Sequence, residues 1–383
     1  MANAKNGSSR ERPLVKQGII LDALRRQIRS GKLAPESRLP LRTQLEKTFQ
    51  VSSVTLQRAL DRLTRDGYIY ARGKAGTFVA KYPPHLYQYG LVFPHSHSEE
   101  GGWLHYWSAL CKEAQNITQQ GQRRLVFYYG LGEHQNSEDY QKLLRDLDNH
   151  RLAGLLFAAP LQNLLDTPVY TTPDIPRVVL ADTSFGFPAV NVDKKSFATR
   201  ALDYLTGQGC RRIAVLDGSG MFRQPAERLY WLSELARRGV NSGSHWVQAV
   251  DVIYPQCAIS AVELLFYSGN SHRPDALIIA DDNLVEPATA GLLNAGVPTP
   301  EEVKIVAHCN FPWPKSGALS TKRLGFDIRE WLQACFECID QQRQGVTPAS
   351  MHRVPARFEE EITVAAFPSA AAVASPRLVP AAE

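Results

Sequence analysis

Long apolar runs are missing from this 383-residue chain. Nothing approaches the roughly 20 consecutive apolar residues that a bilayer-spanning helix needs, so no membrane segment is expected. The N-terminal MANAKNGSSRERP also lacks the apolar core of a secretory signal, which leaves a cytoplasmic protein as the expectation. Cysteine is sparse and scattered: Cys111, Cys210, Cys257, Cys309, Cys335 and Cys338 suggest neither a disulfide scaffold nor a zinc knuckle. Cys335 and Cys338 form a C-x-x-C inside a helical pattern. No second cysteine or histidine pair stands nearby in sequence, so they read as small buried hydrophobes. Phosphate-binding loops are lacking too, because Gly218-Ser219-Gly220 has no suitable continuation and no G-x-x-x-x-G-K-[ST] occurs. No serine, histidine and acid fall into a recognisable nucleophile motif, although His308-Cys309 lies near a strand end where it could line a cleft. Neither an enzyme nor a metal or cofactor site is therefore expected.

The length calls for two or three globular units, and 44% hydrophobic with 21% charged residues fits a soluble protein. Charge is unevenly placed. Residues 1–82 hold 17 Lys and Arg against 6 Asp and Glu, a formal +11, while the rest holds 26 against 32, a formal −6. A basic head on an acidic body is the signature of a nucleic-acid-binding module attached to something else.

Within that head, Leu39 to Val79 carries the organising pattern. Lys16 to Arg29 predicts a first helix with Ile20, Leu21, Leu24 and Ile28 buried and Arg25, Arg26 and Arg29 in water. A proline-flanked turn leads to a helix around Arg42 to Phe49. After a break at Gln50-Val51-Ser52, with Ser52 or Ser53 as N-cap, Leu56, Ala59, Leu60 and Leu63 mark the buried side of another helix. Its other side presents Ser53, Gln57, Arg58, Asp61, Arg62 and Arg65. Gly67 stops the helix; Tyr68-Ile69-Tyr70 and Thr77-Phe78-Val79 then read as a hairpin around Arg72-Gly73-Lys74-Ala75-Gly76. The expected fold is a small α/β winged helix-turn-helix domain over 14–82, preceded by a disordered 1–13. Its second helix suits a major groove and its cationic tip a phosphate backbone or minor groove.

The stretches Val51-Ser52-Ser53-Val54-Thr55-Leu56-Gln57-Arg58-Ala59-Leu60 and Lys74-Ala75-Gly76-Thr77-Phe78-Val79 resemble the V-S-R-x-T-V-R-x-A-L and G-x-G-T-F-V motifs of the GntR family of bacterial transcription regulators. Three arginines that often touch DNA in that family fall here on Thr43, Ser53 and Gln57. The resemblance implies an operator surface drawn from Arg42, Thr43, Ser53, Thr55, Gln57, Arg58, Arg62, Arg72, Gly73 and Lys74, with Gln57 suited to pairing with adenine.

Beyond a stiff Pro83-Pro84 linker (83–87), short apolar runs alternate with amphipathic ones. Tyr89–Phe93, Leu125–Tyr129, Gly154–Ala158 and Arg177–Leu180 predict strands with helices over Trp103–Thr118 and Asn136–Asp148. A second series is expected to begin at Val190–Asp193. It continues through strands at Arg212–Leu216, His245–Val252, Asp275–Ile279 and Lys304–Ala307, with helices between and a long amphipathic helix over Ile328–Gly345. The rhythm predicts a two-lobed α/β domain with parallel doubly wound sheets over 88–365, followed by a flexible Ala- and Pro-rich tail, 366–383.

Gly209-Cys210-Arg211-Arg212-Ile213-Ala214, Pro274-Asp275-Ala276-Leu277-Ile278-Ile279-Ala280-Asp281-Asp282 and the stretch from Gly296 to Val306 resemble, in order and spacing, the periplasmic-binding-protein-like effector domain of the lactose-repressor family. Its junction with a GntR head resembles the arabinose repressor group. The resemblance implies a ligand between the lobes, held by Arg228 and Asp282, with Asp281 able to take the contact in its place. A guanidinium fork and a carboxylate suit adjacent sugar hydroxyls. Trp103 and Tyr106, after the first strand, offer aromatic faces, and Asp182 after another strand is a further candidate. The family glycine three residues beyond the arginine is Trp231 here, which reshapes the pocket or repacks the helix. A repressor controlled by a small monosaccharide is the expectation: a bacterial cytoplasmic homodimer, nucleoid-associated on its double-stranded operator, with no membrane partner. A purine or other non-sugar effector, or a sugar-binding or enzymatic module without a regulatory role, is the alternative.

Overall fold

The computed structural model describes residues 13–96, 103–121, 123–133, 137–173, 175–182, 186–219, 225–240, 243–267, 269, 272–297 and 302–362. The expected tail and most of the expected disordered N-terminus lie outside them.

Helices α1 (Pro13–Arg29), α2 (Arg42–Phe49) and α3 (Ser53–Arg65) form the head. Ser52 is the cap of α3, its hydroxyl accepting the Thr55 amide at 3.4 Å. Gln50, at φ 50°, turns the chain between α2 and α3. Apolar residues at three- and four-residue spacing then close a core of Ile20, Leu24, Leu45, Leu56, Leu60 and Leu63. Strands β1 (Ile69–Ala71) and β2 (Thr77–Val79) pair antiparallel with Tyr70 opposite Phe78. A 3-10 turn over Gly73–Ala75 makes the wing tip. A bridge from Arg38 to Phe78 adds a third edge.

Gly67 ends α3 at φ +79°. Its amide bonds the Thr64 carbonyl at 3.0 Å and the Tyr68 amide bonds that of Leu63 at 2.9 Å, the paired bonds of a left-handed helix stop. Asp66 and Tyr68, either side of this turn, both reach the body.

Helix α4 (Pro84–Tyr87) occupies the expected linker, so that segment is ordered against both neighbours and His85 is buried. Lobe 1 follows with β3 (Gln88–Val92), α5 (His105–Gln119), β4 (Arg124–Tyr128), α6 (Glu138–Asp148), β5 (Gly154–Phe157), α7 (Pro168–Thr171), β6 (Arg177–Val179) and β7 (Ala189–Val192). Lobe 2 comprises α8 (Lys194–Gly207), β8 (Ile213–Ser219), α9 (Pro225–Arg237), β9 (Val247–Asp251), α10 (Cys257–Leu265), β10 (Ala276–Ile279), α11 (Val285–Asn294), β11 (Lys304–Phe311) and β12 (Lys322–Asp327). The chain returns to lobe 1 for α12 (Ile328–Arg343) and β13 (Met351–Val354), and ends in lobe 2 with β14 (Arg357–Phe358). The sheet orders are β13-β7-β6-β5-β3-β4 and β14-β12-β11-β10-β8-β9. All pairings are parallel except β12 with β14, and near-continuous apolar strands such as Ala276–Ile279 are buried on both faces.

Two expectations need correction. Val190–Asp193 does not open the second series: β7 lies between β6 and β13 in the first sheet. Alternation of strand and helix identifies element types but not which sheet a strand joins. The long helix forms as expected, and it packs in lobe 1, where Trp331, Leu332, Cys335 and Phe336 enter the core. Arg25, expected in water, is 3% exposed, because helix periodicity registers the head's own core and not a body docked on its far side.

An alanine at residue 67 must hold φ +79°, while its Cβ meets only Pro84 Cγ at 3.5 Å, an ordinary contact. Gly67→Ala is therefore expected to cost about 1 kcal/mol in denaturant unfolding of the full chain. No change would show that α3 ends without this turn.

Candidate functional site

On the head, Arg42, Thr43, Ser53, Arg58, Arg72, Gly73 and Lys74 are exposed, and Thr55 and Gln57 half-buried. The Gln57 amide is engaged with Asp61 at 2.6 Å. Arg62 is drawn to Asp66 at 3.2 Å. Arg58, Arg72 and Lys74 thus stand open to a polyanion, whereas Arg62 and Gln57 have intramolecular partners to exchange. Arg38 was not singled out by sequence, yet it runs along the wing base beside Gly76, where a Cβ would sit 2.9 Å from its guanidinium. Its place in the turn after Pro35 gave no signal of that.

Behind α3 lies a junction that sequence reasoning missed. The buried carboxylate of Asp66 accepts from Arg25 of α1 at 2.7 Å, from Arg62, and from Arg151 of lobe 1. Arg151 also pairs with Asp146 at 3.0 Å, and Asp146 accepts the Tyr128 hydroxyl at 2.7 Å. Arg25 reaches the Asn149 side chain at 2.9 Å, and the Tyr68 hydroxyl donates to the carbonyls of Asn149 and His150. Burial alone would raise the Asp66 carboxyl; Arg151, Arg62 and Arg25 more than reverse this and hold it below the ordinary range. His85 stacks on Tyr68 with ring centres 5.6 Å apart. Neither of its ring nitrogens has a hydrogen-bond partner. Burial, with the nearby charges of Arg343, Arg29 and His150, lowers its pKa to about 3. The only sequence signal was an acid, Asp66, ending a basic helix in a head with few acids.

The facing ends of the two lobes hold a second cluster. Asp282 is buried after β10 and accepts from Asn310 of β11 at 2.6 Å, with His308 Nδ1 at 4.0 Å. Burial and the charge of Asp281 raise the Asp282 carboxyl well above its ordinary value, while burial lowers His308. Asp281 holds Asn283 through its amide at 2.9 Å and side chain at 2.7 Å. Across the cleft, the His105 amide at the start of α5 donates to Asn283 Oδ1 at 3.1 Å. Lys315 of lobe 2 reaches His105 Nε2 at 3.1 Å. Burial lowers His105 and Lys315 adds to the effect. Polar side chains at strand carboxyl ends facing a second lobe are what this class of sheet offers a ligand.

Lobe 1 supplies an aromatic wall. Phe93 lies 5.1 Å from Trp103 and 5.3 Å from Tyr129, and Trp103 is 5.3 Å from Trp107. Tyr106 stacks on Trp331 and donates to the Ala158 carbonyl at 2.8 Å. Burial raises its pKa, and the charge of Asp281 contributes. Asp281 therefore lies near enough to Tyr106 to act on it, while Trp103 packs within lobe 1 on Phe93, Trp107 and Tyr129.

Arg228 and Asp182 are placed elsewhere. The exposed guanidinium of Arg228 donates to the carbonyls of Ser244 at 2.6 Å and Val247 at 3.3 Å. Its neighbour Glu227 instead meets Lys194 at 3.0 Å. Asp182 pairs with Arg353 at 3.3 Å and Lys194 at 3.6 Å where the chain crosses between lobes. Trp231 is buried in the lobe 2 core and donates to Asp217 at 3.2 Å, so α9 is repacked around it. Asn310 and Lys315 were not singled out by sequence, although Asn310 stands two residues past His308 on the same strand face.

Known proteins fit both parts. Residues 17–79 match the family described as bacterial regulatory proteins, gntR family, and residues 202–358 match the periplasmic binding protein-like domain. The HTH-type transcriptional repressor NagR of Bacillus subtilis is 36% identical over 62 residues, 16% of this chain. The chain spans about a quarter of that relative, 26%. Among solved structures, a LacI family transcriptional regulator from Arthrobacter, in complex with lactose, superposes with a TM-score of 0.56 at 15% identity, over 71% of this chain and 97% of its own. A LacI family regulatory protein from Chloroflexus aggregans gives 0.54 at 17%, over 71% and 96%. A LacI family regulator from Lactobacillus casei with bound glucose gives 0.52 at 15%, over 71% and 98%. A winged helix-turn-helix head joined to a two-lobed α/β domain thus defines the class of protein. More particularly, residues 17–79 are similar to the gntR-family helix-turn-helix and residues 202–358 to the periplasmic binding protein-like domain, and the two-lobed part shares its fold with these LacI family structures.

Asp66→Asn leaves Arg25 buried without its counter-charge and is expected to cost about 3 kcal/mol and expose residues 80–88 to protease; unchanged stability would remove the junction's role. The folded state disfavours protonated His85, so it binds fewer protons than the unfolded state between about pH 3, its folded value, and the ordinary histidine value near 6.5. Stability should fall as pH drops below about 6.5, by up to about 1.4 kcal/mol per unit. The depressed Asp66 adds a second loss only below the ordinary aspartate range. His85→Phe should flatten the first window relative to wild type.

Proposed function

We propose that this chain is a DNA-binding transcription regulator, a repressor whose operator affinity is set by a small sugar bound between the lobes. The observation that carries the reading is one chain joining a basic winged head to a two-lobed domain in which the buried Asp282–Asn310 pair stands at the strand ends of lobe 2 and Asn283 meets the His105 amide of lobe 1 across the cleft. Carboxyl and amide groups supply directional hydrogen bonds to hydroxyls, and aromatic faces suit the apolar side of a sugar ring. The lactose and glucose held by structures of the same fold favour that ligand class. Among the proposed contacts, Asp282 and Asp281 take hydroxyls, Trp103 and Tyr106 the ring, and Arg228 and Asp182 join only if ligand binding redirects them.

A homodimer on a pseudopalindromic operator completes the mechanism. Tyr254, Leu264, Tyr267 and Leu293 are exposed on the β9, α10 and α11 side of lobe 2, an apolar surface suited to a second copy. No described helix is long and apolar enough to cross a membrane. The protein then works in the bacterial cytoplasm and meets the nucleoid at its operator.

Calorimetric titration against arabinose, xylose, glucose, lactose and purines tests the cleft. Saturable binding of one sugar, weakened about 10- to 100-fold by Asp282→Ala, is expected. Purine binding alone would move the ligand class, and silence throughout would defeat the effector reading. For the head, Lys74→Ala and Arg72→Ala should each weaken operator binding at all sequences and lower the salt slope by about one.

A further inference from the structure

The cavity of about 510 Å³ between the head and lobe 1 is lined by five cations, Arg65, Arg123, Arg124, Lys142 and Arg151, against two carboxylates, Asp66 and Asp146. Both carboxylates are already committed: Asp66 to Arg25, Arg62 and Arg151, and Asp146 to Arg151 and Tyr128. Arg123 is answered by Asp340 at 3.2 Å, outside the lining. Among the described residues Arg65, Arg124 and Lys142 have no ion-pair partner; Lys142 has only the Phe127 carbonyl at 3.5 Å and the Tyr128 ring. Like charges gathered around a partly enclosed space repel one another less effectively screened than on an open surface, so the arrangement favours an anion entering from solution.

The same lining also holds aromatic rings. Tyr82 and Tyr87 lie edge to face with ring centres 4.6 Å apart, next to Pro84 in the same lining. A cavity this size lies within the range of small-molecule sites and exceeds what a bare oxyanion fills. Cations and rings in one lining describe a ligand with a charged end and an organic body.

We propose that this cavity is a second effector site, separate from the cleft between the lobes, and that it binds the phosphate monoester of a small metabolite. Arg124 and Lys142 of lobe 1, with Arg65 of the head, take the phosphate, and the Tyr82, Pro84 and Tyr87 wall takes the body. Such a ligand touches both units beside the Asp66 junction and so favours their docked arrangement.

Titration of the full chain, without DNA, by inorganic phosphate, glucose 6-phosphate and AMP separates the sources of the phosphate group. At least one ester is expected to bind saturably and at least tenfold tighter than inorganic phosphate, and to raise the melting temperature. The double variant Arg124→Ala/Lys142→Ala, which leaves the Asp66 network intact, is expected to weaken that binding at least tenfold while keeping the ligand-free melting temperature. Tyr82→Ala should weaken the ester and spare inorganic phosphate. No saturable binding by any of the three, or equal affinity in the double variant, overturns the site. Equal affinity for phosphate and both esters overturns the organic body. A double variant that loses only operator affinity assigns these cations to DNA and overturns the proposal as well. Sugar binding in the cleft does not enter any of these readouts.

Discussion

Asp66 has no solvent on its side chain, and a lone carboxylate in that position would be protonated or expelled. Three guanidiniums make it tenable. Because they come from α1, from α3 itself and from lobe 1, the same two oxygens tie together the head's first helix, its groove-facing helix and the body. The pair energies need not stabilise strongly in total, since removing each charge from water costs several kcal/mol. What the cluster supplies is orientation, because a buried carboxylate with one arginine missing is worse than none. Tyr68 and His85 extend it by packing and by two carbonyl bonds. The head is therefore not a bead on a string, although its fold is complete without the body.

The two halves of the architecture were legible in sequence because each rests on local rules. Alternation of apolar runs with amphipathic ones gave the strands and helices of both lobes, and Ser52, Gly67 and the Arg72–Gly76 tip gave the winged head its boundaries. Partnership was not legible. Arg25 looks like any solvated helix arginine until Asp66 and Asn149 are beside it. Strands β12 (KRLGFD) and β13 (MHRV) lack a strong apolar pattern, and the return of α12 to lobe 1 depends on contacts with elements read far earlier in the chain.

The cleft shows the same division. Asp281 and Asp282 end a strand, and strand carboxyl ends are where open α/β sheets gather ligands, so their place followed from the pattern. Arg228 turned on a helix phase: one residue decides whether a side chain on α9 meets Lys194 or the carbonyls of Ser244 and Val247. Trp231 bears on that phase. Its ring needs a place in the lobe 2 core and its indole N–H needs Asp217, and both requirements fix how α9 lies on the sheet. The network of His105, Asn283 and Lys315 joins residues far apart in sequence and was visible only once the lobes faced each other.

The chain passes between the lobes at three points, after β7, β12 and β13. Three parallel tethers permit bending about one axis far more readily than sliding or twisting. Among the described residues the head's ties to the body, through Asn149, His150 and Arg151, run to lobe 1, and Arg343 of lobe 1 holds the Leu86 carbonyl of α4. Head and lobe 1 thus form one arm and lobe 2 the other. The winged head is the far end of a lever whose fulcrum lies at the tethers, and a small change of angle between the arms is magnified at the wing.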